Sequence, residues 1–267
     1  MPSRTSLSSP NAGSDSRTGP EMNTALPSLL GILLAVASTS AVHAQPDIGI
    51  GSLYDYLPGA SSSIVKPIRN SGSSTGFVRV DVRRIQVDDA GNSTETELTA
   101  GEGWRDRLIV SPSRLIVPPG GMRSVRVLYV GERSREHVFR VRFTPVEPGR
   151  GDGFGQEEGA DAAGATTAGV RMLVGYGGIV IVRPEQEQYR TDFVQRTDGL
   201  DVINHGNTTL ILDNVYACKT DEHCLAPVKK HVLPGRTQFF KREGLSEIRF
   251  DVVEGEKVSY KEFRFAG

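Results

Sequence analysis

The sequence predicts an all-β protein, and three features carry that prediction. Thirty glycines and 15 prolines among 267 residues cut the chain into short segments. Many of the apolar runs alternate with period two, as strands with one buried face do. No apolar run at helical spacing is long enough to specify a helix. With 31 Lys+Arg against 32 Asp+Glu and no polybasic block, neither nucleic acid nor an anionic membrane surface is expected as the main partner.

Residues 1–44 read as a leader and signal peptide. Met1 to Glu21 is rich in Ser, Pro, Gly and Asn and has no core-forming pattern. Met22 is the expected true start, because an apolar run from Leu29 to Ala37 follows it and Val42-His-Ala44 fits cleavage before Gln45. That run is short for a membrane span of about 20 residues.

Residues 45–183 hold a series of strand candidates separated by turn chemistry. Ser63–Asn70 ends at Asn70-Ser-Gly72. Phe77 to Val87 places Val78, Val80 and Val82 on one face and then shifts parity to Ile85 and Val87, which predicts a bulge or bend. Leu108–Val110, Leu115–Val117 and the alternating stretch Val125–Tyr129 follow, with Pro118-Pro-Gly-Gly121 as a corner. Val138–Phe143 alternates Phe139, Val141 and Phe143 against Arg140 and Arg142, a strand with one wet face. From Glu147 to Gly169 the chain is mostly Gly, Ala, Asp, Glu and Thr, a loop long enough to be functional or disordered. The run from Val170 to Pro184 closes the series. Its residues Val170, Met172, Val174, Val180 and Val182 share one face of an extended chain. About seven strands result, the number an immunoglobulin-like sandwich needs.

Residues 184–267 begin with a linker-like Glu185-Gln-Glu-Gln188 and contain a second set of short strands. Asn204-His-Gly206 repeats the motif seen at Asn70-Ser-Gly72. The expectation is two immunoglobulin-like β-sandwich domains in tandem. Cys218 and Cys224 flank five polar residues; in an oxidising compartment the pair is expected as a disulfide. A metal site with His223 or His231 is the rival, but the spacing of four ligands is missing. No nucleophile elbow, zinc-binding His-Glu-x-x-His or phosphate loop occurs, so an enzyme, a small-molecule substrate and a cofactor are not expected.

Four stretches together resemble the PapD-like periplasmic chaperones of the chaperone–usher pathway, over roughly Asp47 to Phe265. They are Ile64-Val-Lys-Pro-Ile-Arg-Asn70, Leu108 to Gly120, Val138-Phe-Arg-Val-Arg-Phe143 and Tyr176 to Pro184. The cysteine-bearing loop after Val215-Tyr-Ala makes the chain look closest to the branch serving alternate-type fimbriae. The resemblance implies an exported, periplasmic chaperone that lends a strand to a fimbrial or pilus subunit and delivers it to an outer-membrane usher. Val170, Met172 and Val174 would be the donor side chains. Lys66 and Arg183 would grip the subunit's terminal carboxylate, and Glu136 would pair with Arg183 across the two domains. A lysine inside an apolar strand needs an anion or a solvent-facing position, which fits the first of these roles. The resemblance also raises a self-capping dimer of the free protein. The alternative reading is a secreted two-domain adhesin or structural pilus component, which should lack a strand.

Overall fold

A computed structural model describes residues 45–88, 90–98, 106–147, 153–154, 173–220 and 223–265. The expected signal segment, and Val170 and Met172, lie outside these residues. The described chain forms strands β1 (Ile48–Gly49), β2 (Tyr54–Leu57), β3 (Ser63–Asn70), β4 (Gly76–Val87), β5 (Ser93–Glu97) and β6 (Arg107–Ser111). Next come β7 (Arg114–Val117), β8 (Met122–Val130), β9 (His137–Val146) and β10 (Tyr176–Val182). The second half supplies β11 (Thr191–Gln195), β12 (Gly199–Asn204), β13 (Leu210–Thr220) and β14 (His223–Cys224). Strands β15 (Val228–Val232), β16 (Thr237–Lys241), β17 (Glu247–Glu254) and β18 (Lys257–Arg264) complete it.

Two sheets enclose the first core: β1-β3-β8-β6, and β2-β10-β9-β4-β5 with β7 also paired to β4. The alternation read from the sequence decides what fills it. Val78 and Val80 of β4, Val125 and Val127 of β8, Phe139, Val141 and Phe143 of β9, and Val180 and Val182 of β10 are all buried in one cluster. A second cluster, built on Leu200, Leu210, Leu212, Ile248 and Phe250, lies among β11-β12-β16 and β14-β13-β17-β18, with β15 on β13. The fold is two immunoglobulin-like sandwiches in tandem.

The repeated Asn motif has a common structural cause. Asn70 is fully buried and donates to the carbonyls of Ser74 and Val117 while accepting from the amides of Asp47 and Gly72. Asn204 does the same in the second half, donating to Thr208 and Val232 and accepting from Gly206. Each amide side chain satisfies backbone groups that the strand end leaves unpaired inside a core.

The bulge expected in β4 is absent. The register with β9 runs unbroken from Phe77↔Val146 to Ile85↔Val138. The parity shift has another cause: beyond Val82 the inward position passes to Arg84. Its guanidinium lies over the Phe139 ring at 6.0 Å and donates to the Asp106 carbonyl. Ile85 and Val87 therefore sit on the outer face. Strand β5, Ser-Thr-Glu-Thr-Glu, is exposed throughout and owes its extended form to pairing with β4, so no hydrophobic pattern announces it.

Candidate functional site

Strand β10 is the element around which the site is built. It pairs antiparallel with β9 along its whole length, Tyr176↔Phe143 to Val182↔His137. On its other side it pairs with β2, in parallel, only from Ile179↔Tyr54 to Val182↔Leu57. Tyr176, Gly177 and Gly178 thus have a strand on one side only among the described residues. Tyr176 packs partly on the first core, and Val180 and Val182 lie within it. Val174, two residues before Tyr176 and of the same parity, is 56% exposed. The core-facing row of side chains therefore continues past the end of its own sandwich into solvent. Among the described residues the regular strand begins at Tyr176.

The opposite side of β10 explains why this run is apolar on both faces. Ile179 and Ile181 line a cleft of about 380 Å³ together with Tyr54, Val138, Thr209, Lys230 and His231. The far wall comes from the second half, chiefly β15. That strand, Val-Lys-Lys-His-Val, is too polar to read as a strand in sequence. It is fixed by its pairing with β13, Leu210↔Val232 to Leu212↔Lys230.

A cluster of side chains joins the two halves beside the cleft. The Tyr54 ring stacks on His231 with centroids 4.0 Å apart, and Tyr56 Oη lies 2.5 Å from His231 Nε2. Burial, with the neighbouring Lys229 adding to it, depresses His231 to a pKa of about 4. Burial also pushes Tyr56 up to about 12. A neutral imidazole therefore accepts the Tyr56 hydroxyl proton at neutral pH. Arg133 donates to the carbonyls of Leu57, Gly59, Ser61 and Arg183, tying the β2–β3 turn to the link between the halves. Gly59 is required there: a Cβ would come within 2.5 Å of the Pro184 carbonyl oxygen.

The expected Glu136–Arg183 ion pair is not formed. Arg183 pairs with Glu187 at 3.2 Å and stacks over the Tyr56 ring at 5.2 Å. Glu136 accepts from Thr208 Oγ1 at 2.9 Å, the Thr209 amide at 2.6 Å and Thr209 Oγ1 at 2.5 Å. Three donors saturate the carboxylate, so Glu136 still bridges the halves, but by hydrogen bonds. Burial holds its pKa above the ordinary carboxyl value despite these donors.

Lys66 does not project into solution. It points inward from β3, is 3% exposed, and donates to the Ser52 carbonyl at 2.6 Å and Asp55 Oδ2 at 2.7 Å. The anion that a lysine in an apolar strand demands is therefore Asp55, from β2 in the facing sheet. Arg183 is likewise buried and already paired. Lys230 lines the cleft, is exposed, and has no ion pair among the described residues.

Cys218 and Cys224 form the expected disulfide, across the β13–β14 hairpin. Both sulfurs are thereby removed from metal chemistry, and the described residues hold no group of three or more His, Cys, Asp or Glu arranged for a metal.

No protein-family model matches the chain. Over 208 residues it is 24% identical to a CS1 fimbrial subunit of Escherichia coli, covering 74% of this chain and 83% of that protein. It is 23% identical over 216 residues to a probable fimbrial chaperone, EcpB, of Klebsiella pneumoniae, covering 80% and 87%. The crystal structure of the class 5 fimbriae chaperone CfaA superposes with a TM-score of 0.53 at 16% identity, covering 81% of this chain and 98% of that one. The chain is thus similar in sequence to fimbrial chaperones and shares the fold of a solved one. In the complex of Salmonella enterica SafA pilin with the SafB chaperone, a chain with this fold matches at a TM-score of 0.52 and 15% identity, over 82% of this chain and 96% of that one. In these chaperones, as here, the sandwiches stand in tandem.

Sequence reasoning missed Tyr54, Tyr56, Arg133 and Lys230, and weighed His231 only as a metal ligand. Tyr54 and Tyr56 lie in a four-residue strand, and the other three act through partners more than 50 residues away in sequence or through a cleft wall. No local pattern encodes such pairings.

Proposed function

We propose that the chain is a periplasmic chaperone that captures fimbrial subunits by lending them the segment before Tyr176, and delivers them to an outer-membrane usher. The observation that carries this reading is the row Val174, Tyr176, Val180, Val182, core-facing at one end and solvent-exposed at the other. A partner sandwich with an unfilled groove could pair with the free backbone of Tyr176–Gly178. It would take Val174, and Met172 and Val170 before it, as alternate side chains. The groove and the strand then protect one another from edge-to-edge aggregation.

The subunit's terminal carboxylate is assigned to the cleft. Anchoring by Lys66 would require displacement of Asp55, and anchoring by Arg183 displacement of Glu187. Lys230 needs neither exchange, and we place the first contact there. Lys66 and Arg183 keep a positioning role, through β2 and the inter-domain link.

Co-expression with a subunit of the same fimbrial system tests the reading. Val174→Asp and Met172→Asp are expected to abolish soluble subunit while leaving the chaperone folded. Undiminished subunit yield with both variants would refute strand lending. Lys230→Ala is expected to weaken capture at unchanged thermal stability, whereas Lys66→Ala lowers stability. The rival, a structural pilus component, predicts recovery of the protein in sheared fimbriae. The first sandwich argues against it, since β2 and β10 both close it and no strand is missing.

A further inference from the structure

On the other side of the first core from β10 lies the sheet β1-β3-β8-β6. The outward positions of its strands carry Arg69, Arg107 and Arg126 and no Asp or Glu, in a chain whose net charge is −1. The facing sheet is different. There Arg142 pairs with Asp81 at 2.7 Å, Arg140 with Glu95 at 2.6 Å and Arg83 with Glu97 at 3.2 Å. Arg69 and Arg126 are exposed and have no acidic partner among the described residues.

Register places these arginines among apolar side chains. Val65 stands opposite Arg126, and Arg69 opposite Met122, in the β3–β8 pair. Ile109 stands opposite Leu128 in the β6–β8 pair. Val65 is 59%, Met122 49% and Ile109 45% exposed. Neighbouring strands lie about 4.8 Å apart, so the apolar and guanidinium groups form one mixed patch. Arginine and methionine beside apolar surface is the composition of protein interfaces. Contiguous exposed apolar surface rimmed by polar groups is a feature of protein interaction sites.

We propose that this sheet face docks an acidic, apolar-bearing segment of a partner protein. The planar guanidiniums of Arg69 and Arg126 take its carboxylates, and Val65, Ile109 and Met122 take its apolar side chains. Charge complementarity selects this partner: the basic charge is local to one face of a chain with no net positive charge, which disfavours a general attraction to anionic membranes. The face lies across the core from the lent strand, so both surfaces can be occupied together. The proposal is thus independent of the subunit-capture reading.

The test uses the full chain and a labelled peptide alternating Glu with Leu, with binding followed by fluorescence anisotropy. Saturable binding is expected, weakened by salt and reduced about tenfold or more by Arg69→Glu with Arg126→Glu. Arg126→Gln, a gentler change, should lower it to a smaller extent, and Val65→Asp should lower it without altering its salt dependence. Subunit capture on co-expression should be unchanged in all of these variants. The proposal is overturned by absent peptide binding, by binding indifferent to the variants, or by variant-sensitive binding to phosphatidylserine vesicles instead of the peptide. It is equally overturned by loss of subunit capture in folded variants, or by a dimer of the free chain that the same variants dissolve.

Discussion

His231 is held neutral inside a contact between two halves of the molecule, and this makes the contact sensitive to pH. Its pKa of about 4 in the folded chain lies below the ordinary 6.5. Folding therefore favours the unprotonated ring, and the corresponding stability is complete above the ordinary value and lost as pH falls from there towards about 4. Thermal midpoints measured across this window should fall more steeply for the natural chain than for His231→Gln. Coincident pH profiles would show that the ring does not feel its burial. The same scale holds the paired asparagines. Asn204→Ala would leave the carbonyls of Thr208 and Val232 and the amide of Gly206 without their partner. A loss of about 3 kcal/mol is expected in denaturant unfolding, and Asn70→Ala should cost a similar amount. These two asparagines were legible in sequence as a repeated motif, although their role was not. Lys66 was legible as an anomaly. The sequence showed that an anion was needed, but it could not show that Asp55 would reach across from the opposite sheet.

At the scale of elements, the strands whose side chains alternate were readable: β3, β4, β8 and β9 fall where the pattern places them. The strands held mainly by their neighbours were not. Strand β5 has no apolar residue, β2 has four residues, and β15 carries two lysines and a histidine. In each, backbone pairing decides the conformation, and pairing is a property of distant sequence. Strand β10 was recognised, and among the described residues its regular pairing starts at Tyr176, a limit that parity alone does not mark. Its two glycines, Gly177 and Gly178, sit in the half-paired stretch. Gly177 has little room, since a Cβ would lie 3.2 Å from the Arg140 side chain. Gly177→Val should therefore displace Arg140 from Glu95 and weaken subunit capture more than stability. Parallel measurement of subunit yield and thermal midpoint checks this, and a fall in both to the same extent would assign the glycine to folding alone.

For the whole molecule, the tandem sandwiches followed from strand count and turn chemistry, and the joint between them did not. The joint depends on Tyr54 and Tyr56 meeting His231, on Glu136 meeting Thr208 and Thr209, and on Arg133 collecting four carbonyls. The resemblance named Glu136 and Arg183 as participants but paired them with each other, whereas Arg183 takes Glu187 and Glu136 takes Thr208 and Thr209. Glu136→Ala is expected to leave the Thr209 amide and both hydroxyls without their acceptor. Because Glu136 belongs to one sandwich and its donors to the other, the variant should separate a single unfolding transition into two, seen by calorimetry. A single transition shifted as a unit would contradict a bridging role.

The central claim is that the chain extends β10 backwards onto a fimbrial subunit. Amide hydrogen exchange over residues 170–178, with and without a bound subunit, reads that event at the atoms concerned. The account predicts that the amides of Gly175 and Gly177, which lie on the side of β10 where the Ile179 amide meets Leu53 and not on the β9 side, exchange freely in the free chain and become strongly protected in the complex. A complex that forms with this segment exchanging as fast as in the free protein would contradict it.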